Sequence, residues 1–481
     1  MTTRLFPLLA PAACSALTLG IAGCAPSVDM ARPEPLRSQG WTTQVDAGDQ
    51  AGSIDELGWS AFNSPELDRL MVQALERNPE IDIALARVAQ ARGQFRATAS
   101  GLLPTLDASL GVQADEVNAF SNAADSNTSG FGGLTIGWEA DLFGQTKAEK
   151  RADAARLRAT GLDAQSVRLL ITSSVAQGWF DYCAFGARIR IVDRAIDNAA
   201  ELERIIRIRY EEGVATRVDL GLQEIELRNL RAERSKLWEA QNVARTALAV
   251  LTGEEAPQFA PEQGLLEAFT VPAIASGQPT SLLTRRPDLR AAEVRIAAAN
   301  GDIQAARRAF LPDLRIDVGL NGQGVGLGDP LTAGLSTVAG LFGPIFSGGR
   351  LRGNLDRVSG EQREAVAQYR LAVLEALAEA ENAMVSVEQS RIRRQLLDEV
   401  VREARLTAEL AREQYVGGIV DARTALEAER ELLAAEDNFI IAQLESLGAV
   451  VDVHRAFGGR LDEQRASLTG QALRLEYNYS D

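Results

Sequence analysis

Residues 145–212 and 350–416 contain no proline, and no other feature of this chain constrains its fold as strongly. Alanine, leucine and arginine recur through both stretches at helical spacing, so each reads as one continuous helix. At 1.5 Å per residue, about 65 residues make a rod of roughly 100 Å, deeper than any globular core. Of the 481 residues 46% are hydrophobic but only 5% aromatic, which points to long packed helices rather than a compact mixed domain.

The rods belong to a tandem duplication. Asn78-Pro79-Glu80-Ile81 opens a helix that reaches Leu103-Pro104, and Arg286-Pro287-Asp288-Leu289 opens another that reaches Leu311-Pro312; in both copies the prolines stand 25 residues apart. Asp141-Leu142-Phe143-Gly144 is echoed by Pro344-Ile345-Phe346-Ser347-Gly348, and Tyr210-Glu211-Glu212-Gly213 by Tyr415-Val416-Gly417-Gly418. The offsets of 208, 203 and 205 leave little room for insertions. Shorter helices near 79–103, 216–251, 288–311 and 421–456 fit beside the rods as antiparallel coiled-coil partners.

After the second proline of each copy the period changes from helix to strand. Apolar residues take alternate places in Leu106–Asp115 and in Leu314–Asn321, and weaker alternation follows through Leu134, Ile136 and Trp138 and through Leu331, Ala333 and Leu335. Strands are expected at about 106–117, 130–139, 314–322 and 331–341, joined by glycine-rich turns at 116–130 and 322–330. A tilted strand of about 9–11 residues crosses a bilayer, but about eight strands are the fewest that close a membrane barrel. Four strands that meet lipid must therefore be pooled between copies, and three copies give twelve. The same pattern also fits a soluble four-stranded sheet with one wet face.

Arg4 is the only charge before residue 29, the apolar run Leu5–Ile21 follows it, and Ile21-Ala22-Gly23-Cys24 ends it. This reads as a secretory signal over 1–23, too short and too proline-interrupted to span a membrane. Cys24 sits in a lipobox-like context, with Ile21 where leucine is usual, and is the expected lipidation site. Of the remaining cysteines Cys14 leaves with the signal, so Cys183 has no partner for an internal disulfide and reads as a buried structural thiol. No stretch beyond residue 25 offers some 18 consecutive apolar residues for a membrane helix. A net charge of −16 argues against nucleic acid as a partner. His454 is the sole histidine and no nucleophile motif accompanies it, so neither a catalytic site nor a metal or cofactor site is expected. Gly322, Gly324, Gly326 and Gly328 lie between two strands and read as a hairpin tip rather than a phosphate loop.

Residues 55–457 resemble the TolC/OprM outer-membrane efflux proteins, in particular the lipoprotein branch that serves resistance–nodulation–division (RND) pumps. The resemblance rests on Trp59 through Leu67, on Arg285-Arg286-Pro287-Asp288-Leu289-Arg290, on Phe310-Leu311-Pro312 and on Gly343-Pro344-Ile345-Phe346-Ser347-Gly348-Gly349. It implies a mainly α fold with a membrane β-barrel portion: a homotrimer with a twelve-stranded barrel in outer-membrane lipid and a long α-helical barrel across the periplasm. A belt would come from 24–60, 254–286 and 457–481, and the two structural repeats would span 61–253 and 287–456. Implied partners are a periplasmic membrane-fusion adaptor and an inner-membrane RND pump, and the implied function is passive export of drugs or other small molecules. A type I protein-secretion duct and a non-channel periplasmic coiled-coil lipoprotein are the alternatives.

The same resemblance places a periplasmic gate at the turns between helices, near Tyr210, Gly213 and Asp219 and near Tyr415, Gly418, Asp421 and Glu427. Val420 stands where TolC has an arginine that pairs with the first-copy aspartate, leaving Arg423 or Arg217 as substitutes. An acidic ring at a narrow wet neck would favour cations.

Overall fold

The computed structural model describes residues 40–42, 58–117, 125–262, 264–272, 279–325 and 332–459. In chain order the elements are α1 (Pro65–Arg77), α2 (Pro79–Ser100), β1 (Thr105–Val117), β2 (Asp125–Ala140), α3 (Gln145–Glu211), α4 (Arg217–Thr252), α5 (Pro287–Arg308), β3 (Asp313–Val325), β4 (Thr332–Phe342), α6 (Arg350–Val416) and α7 (Ala422–Ala456). The rods α3 and α6 have 67 residues each and fill the two proline-free stretches to within a residue. The described residues divide into two compact units, one within 86–161 and 291–371, the other within 40–85, 162–290 and 372–459.

The first unit contains the sheet. All four strands form one antiparallel sheet in the order β1-β2-β3-β4, so the two hairpins are joined edge to edge through β2 and β3. Leu134 pairs with Leu320, Ile136 with Val318 and Trp138 with Ile316 across that junction. With Leu106, Leu110 and Val112 of β1 and Leu335 and Leu341 of β4 they share one face, where most of the large apolar side chains are exposed. The opposite face carries Asp107, Ser109, Thr135, Asp317, Asn321 and Ser336 among glycines, with Arg315 reaching Glu139 across β2 and β3, and is interrupted by the exposed apolar side chains of Phe131, Val338 and Phe342. Two expectations are corrected here. β2 begins at Asp125 rather than near 130, and β3 continues to Val325, so Gly322 and Gly324 are ladder residues opposite Gly132 and Gly130 rather than turn residues. Backbone groups make the ladder, so these small residues pair although they carry no apolar alternation. Gly326 and Gly328 lie outside the described residues.

Below the sheet in the same unit, α2 packs on α3 through the Thr98 hydroxyl, which donates to Asp153 at 2.5 Å. The rod α3 packs on α5 through an Arg156–Asp302 ion pair and a close approach of Gly301 to Ala152, where a Cβ on the glycine would lie 2.9 Å from the alanine Cβ. α5 packs on α6 through Ile303, Ala306, Leu355 and Val358, with Gln362 donating to Asn300 at 2.7 Å.

In the second unit α1 is a helix that the sequence periodicity alone does not announce. Its signals are local: Ser64 caps the helix by accepting from the Leu67 amide, Pro65 takes the first turn, and Leu67, Leu70, Met71 and Ala74 form the buried stripe. Asn78 caps α2 by accepting from the Glu80 amide at 2.8 Å and ties its own amide to Leu251 O at 2.7 Å. The Arg-Arg-Pro-Asp-Leu run has a clear structural purpose. The Arg286 guanidinium, 12% exposed, binds Asp288 and Glu379 at 2.8 Å each and donates to Ala456 O at 3.0 Å, clamping the entry to α5 against α6 and the end of α7. A cluster of rings fills the core: Phe62 lies 5.0 Å from Phe180, which lies 5.5 Å from Phe269. Cys183 is buried beside them, and desolvation pushes its thiol up to about 12. No helix among the described residues is long and apolar enough to cross a membrane.

Candidate gate at the helical tips

The second unit carries both helix-to-helix turns, α3 to α4 and α6 to α7. The two are built alike. The Gly213 amide donates to Tyr210 O at 3.0 Å and the Val214 amide to Arg209 O at 2.7 Å; Gly418 donates to Tyr415 O at 3.0 Å and Ile419 to Gln414 O at 2.8 Å. Each is a Schellman termination, and its glycine sits at φ +76° because an L side chain is strained there. The Tyr-x-x-Gly motif is therefore first a helix stop.

The next helix starts on a cap in both copies, with the side chains exchanged. In the first, Thr216 accepts from the Asp219 amide at 3.2 Å while Asp219 accepts from the Thr216 amide at 2.9 Å, a capping box. In the second, Asp421 is the cap and accepts from the Thr424 amide and hydroxyl at 2.8 and 2.7 Å. These bonds hold the Asp421 carboxyl below the usual carboxylate range. Both aspartates expected at the gate are thus occupied in starting α4 and α7. Arg423 donates to Glu427 at 2.7 Å one turn along its own helix, and Arg217 lies 3.8 Å from Glu224. Within the chain neither arginine is brought to Asp219 or Asp421 as an ion pair. Cys24, the expected lipidation site, lies outside the described residues.

What joins the two turns is mainly apolar. Leu202, Ile206, Leu220, Tyr415 and Ala425 form a buried cluster, with Ile205, Ala215, Val420 and Ala422 packed against it. Val420, standing where the resemblance leads one to expect an arginine, contributes packing. Arg209 seals the cluster: its guanidinium carbon lies 4.5 Å from the centroid of the Tyr415 ring, and its Nη2 donates to Val416 O at 3.0 Å at the end of α6. Sequence reasoning missed this residue. The available signal was an asymmetry between the copies, because the position equivalent to Arg209 is Gln414. The two motif tyrosines differ accordingly, Tyr415 being 4% exposed and Tyr210 40%.

Away from the tips, polar rungs tie the helices together. Arg430 binds the buried Glu226, its Nε at 2.9 Å. Asn198 donates to Glu429 at 3.4 Å, and burial pushes the Glu429 carboxyl up against that bond. Glu436 is shared by Arg194 of α3 and Arg405 of α6 at 2.9 and 2.8 Å. Arg188 holds Asp437 through two bonds, 2.6 and 3.0 Å. Such rungs fix the register of helices whose apolar surfaces alone would allow sliding. Among the described residues no group of three or more His, Cys, Asp or Glu is placed to hold a metal.

Rods of two turns' common design, an amphipathic sheet and tips sealed by packing define a channel-forming subunit. The family model of the outer membrane efflux protein matches residues 70–254 and 279–459, and the chain belongs to that family. It is 30% identical to the pyoverdine export outer membrane protein OpmQ of Pseudomonas aeruginosa, over 94% of this chain and 97% of the relative. It is 29% identical to the outer membrane protein OprJ of the same organism, over 94% and 95% of the two chains. The open-state crystal structure of the Neisseria gonorrhoeae outer membrane channel MtrE superposes with a TM-score of 0.80 at 25% identity, covering 91% of this chain and 98% of that one. The alternative of a non-channel periplasmic lipoprotein falls with these matches. The chain is an outer-membrane efflux channel component, as the sequence reading expected.

Proposed function

We propose that the chain is the exit duct of a tripartite efflux system and works as a homotrimer. Its sheet stays open, with β1 and β4 at the edges and an apolar face exposed, and this observation carries the reading. An unpaired strand edge in hydrocarbon leaves backbone groups without partners at several kcal/mol each. Three sheets in a ring remove every edge and make a twelve-stranded barrel, apolar side to lipid and polar, glycine-rich side to water. The helices continue the duct into the periplasm, where an adaptor and an inner-membrane RND pump meet the tips. Cys24 carries the lipid that holds the N-terminus to the outer membrane. Cargo passes without chemistry, and the similarity to a pyoverdine export outer membrane protein supports an exported small molecule as that cargo.

The turns around Gly213 and Gly418 form the gate. Closure rests on the apolar cluster and the Arg209 seal, while Asp219, Asp421, Arg217, Arg423 and Glu427 line the neck with charge, all but the half-buried Asp219 exposed. Planar-bilayer recording of the detergent-extracted protein tests the duct: discrete conductance is expected, and a preparation that stays silent, and that also fails to restore efflux to cells lacking their own duct, refutes it. Asp219→Asn with Asp421→Asn removes charge but keeps acceptors for the caps. This pair should reduce cation preference, and unchanged selectivity would remove the acidic ring from the gate. Labelling with a radioactive fatty acid, abolished by Cys24→Ala, tests the anchor.

A further inference from the structure

We propose that one water molecule is bound inside the chain between α3, α4 and α7, just behind the apolar cluster that joins the two turns, and that it bridges all three helices through Gln223, Asn198 and Glu429. The site lies within one chain and is independent of how copies assemble.

The three helices leave a cavity that gives the centre of a water molecule about 20 Å³ of room, enough for one water. Leu202 belongs both to its wall and to the apolar cluster at the tips, which fixes its place behind the seal. Leucines of all three helices supply the apolar lining, and Asn198, Gln223, Glu226 and Glu429 the polar groups. Gln223 is 1% exposed. Its Nε2 donates to Ala199 O at 2.9 Å, which settles which end of the amide is oxygen, and its Oε1 is buried without a hydrogen-bond partner in the protein. A buried carbonyl oxygen left unsatisfied is destabilising, and folded proteins answer it with a protein donor or with ordered water.

The neighbouring donors are already engaged. Arg430 is held by the buried Glu226, its Nε at 2.9 Å, and Asn198 spends one amide hydrogen on Glu429. At 3.4 Å that bond is longer than the usual N–H···O range, so Glu429 keeps acceptor capacity to spare. The count of donors and acceptors selects the ligand. Gln223 Oε1 and the Glu429 carboxyl need hydrogens, and the second amide hydrogen of Asn198 needs an acceptor. A water supplies two donors and an acceptor, about the three bonds that a buried water ordinarily makes. A metal cation fits poorly. Calcium takes about six to eight oxygens, whereas among the described residues no group of three or more His, Cys, Asp or Glu is placed to hold a metal. Burial also pushes the Glu429 carboxyl up, towards the neutral form that a cation would not favour. The bridge has a mechanical consequence. Helix α4 leaves the turn at Gly213 and α7 the turn at Gly418, so the water links the two turns at a second point behind the seal.

A structure of the full-length protein at a resolution that shows ordered solvent tests the site. One solvent peak is expected about 2.7–3.2 Å from Gln223 Oε1, with further contacts to Asn198 and Glu429. A cavity without a peak, or Gln223 Oε1 bonded directly to a protein donor, would overturn the proposal. Crystals soaked in thallium(I) should show no anomalous signal there, and a signal would make the ligand a cation instead. Gln223→Met keeps the length of the side chain but removes the acceptor and should lose the peak, whereas Glu429→Gln keeps an acceptor and should retain it; the reverse result refutes the assigned partners. Loss of the bridge in Gln223→Met should also quicken amide exchange in both 223–230 and 426–433. Quickening confined to 223–230 would report only the lost Gln223–Ala199 bond and refute the link to α7. Should Gln223→Met fail to fold, the peak in the unsubstituted protein and in Glu429→Gln still decides the matter.

Discussion

Arg209→Ala is the most informative substitution at the tips. The guanidinium carbon lies 4.5 Å from the Tyr415 ring centroid and the side chain donates to Val416 O at 3.0 Å. A cation over an aromatic face at a partly exposed site contributes about 0.5–1 kcal/mol, and a cation closing a helix C-terminus about 0.3–1 kcal/mol. Both use the same charge and partly overlap, so removing it should cost about 1 kcal/mol in local stability. Since about 1.4 kcal/mol is a factor of ten in an equilibrium constant, amide exchange at Gly417, Gly418 and Ile419 should quicken by roughly fivefold. Hydrogen exchange read by mass spectrometry on the peptide covering 412–420 measures this directly. Arg209→Lys keeps the charge but not the flat stacking surface and should fall between. The equivalent residue Gln414 makes no such seal, so Gln414→Ala should leave both turns unchanged. Equal acceleration from Arg209→Ala and Gln414→Ala, or none from either, would refute the reasoning that the repeats are sealed asymmetrically. If the seal belongs to the closed gate, the Arg209→Ala channel should also open more often in planar bilayers.

Other expectations follow from burial and backbone geometry. Burial lowers the His454 pKa from 6.5 to about 4, so the unfolded chain binds the extra proton between those values. Stability is complete above pH 6.5 and falls on acidification towards pH 4, by about 3 kcal/mol in all. His454→Phe, which keeps a ring against Trp59, should flatten the difference in melting temperature between pH 7 and pH 4. Gly253→Ala places a Cβ 2.2 Å from Arg77 O at φ +70°, whereas Gly213→Ala meets open space at φ +76°. The second should cost only the left-handed strain, about 1–2 kcal/mol, and the first distinctly more, as ranked by thermal denaturation in detergent. The buried Cys183 thiol, raised to about 12, should resist iodoacetamide at pH 8 until denaturant is added; rapid labelling of the native protein would contradict its packing.

The rods, the shorter helices and the hairpins were legible because their signals are periodic and their ends are punctuated by proline and glycine. Asn78-Pro79 and Arg286-Pro287 mark helix starts, and Gly213 and Gly418 mark helix stops. Strand ends were harder to read. Asp125–Ser129 and Gly322–Val325 pair through the backbone, and a ladder leaves no trace in side-chain pattern when its residues are small. Helix α1 escaped because thirteen residues that open on one proline and end two residues before the next resemble a loop unless the Ser64 cap and the Leu67, Leu70, Ala74 stripe are weighed together. At the gate the residue types pointed to the correct turns but to incomplete work. Asp219 and Asp421 are acidic for capping as well as for any charge they lend the neck. A cap and a gate charge look alike in a sequence, and only the Thr216 and Thr424 bonds distinguish them.

The duplication itself explains where function should be sought in this fold. Two repeats under the same packing demands keep the same residues where the demand is the same: Gly213 with Gly418, Pro79 with Pro287. They part where one copy must do something the other does not. Arg209 against Gln414 separates a buried Tyr415 from an exposed Tyr210, so one turn is sealed inside the subunit and the other presents its ring. In a ring of three such chains the six near-equivalent rods would alternate between these two environments. Opening need not break six identical contacts: within the chain Tyr415 is packed into the cluster and Tyr210 is not, so the turn carrying Tyr210 should move first. Spin labels at Val214 and Ile419 would decide the order: the pair-distance distribution at Val214 should broaden before that at Ile419 as the gate is destabilised, and the reverse order would place the mobile element on α6 and α7 instead.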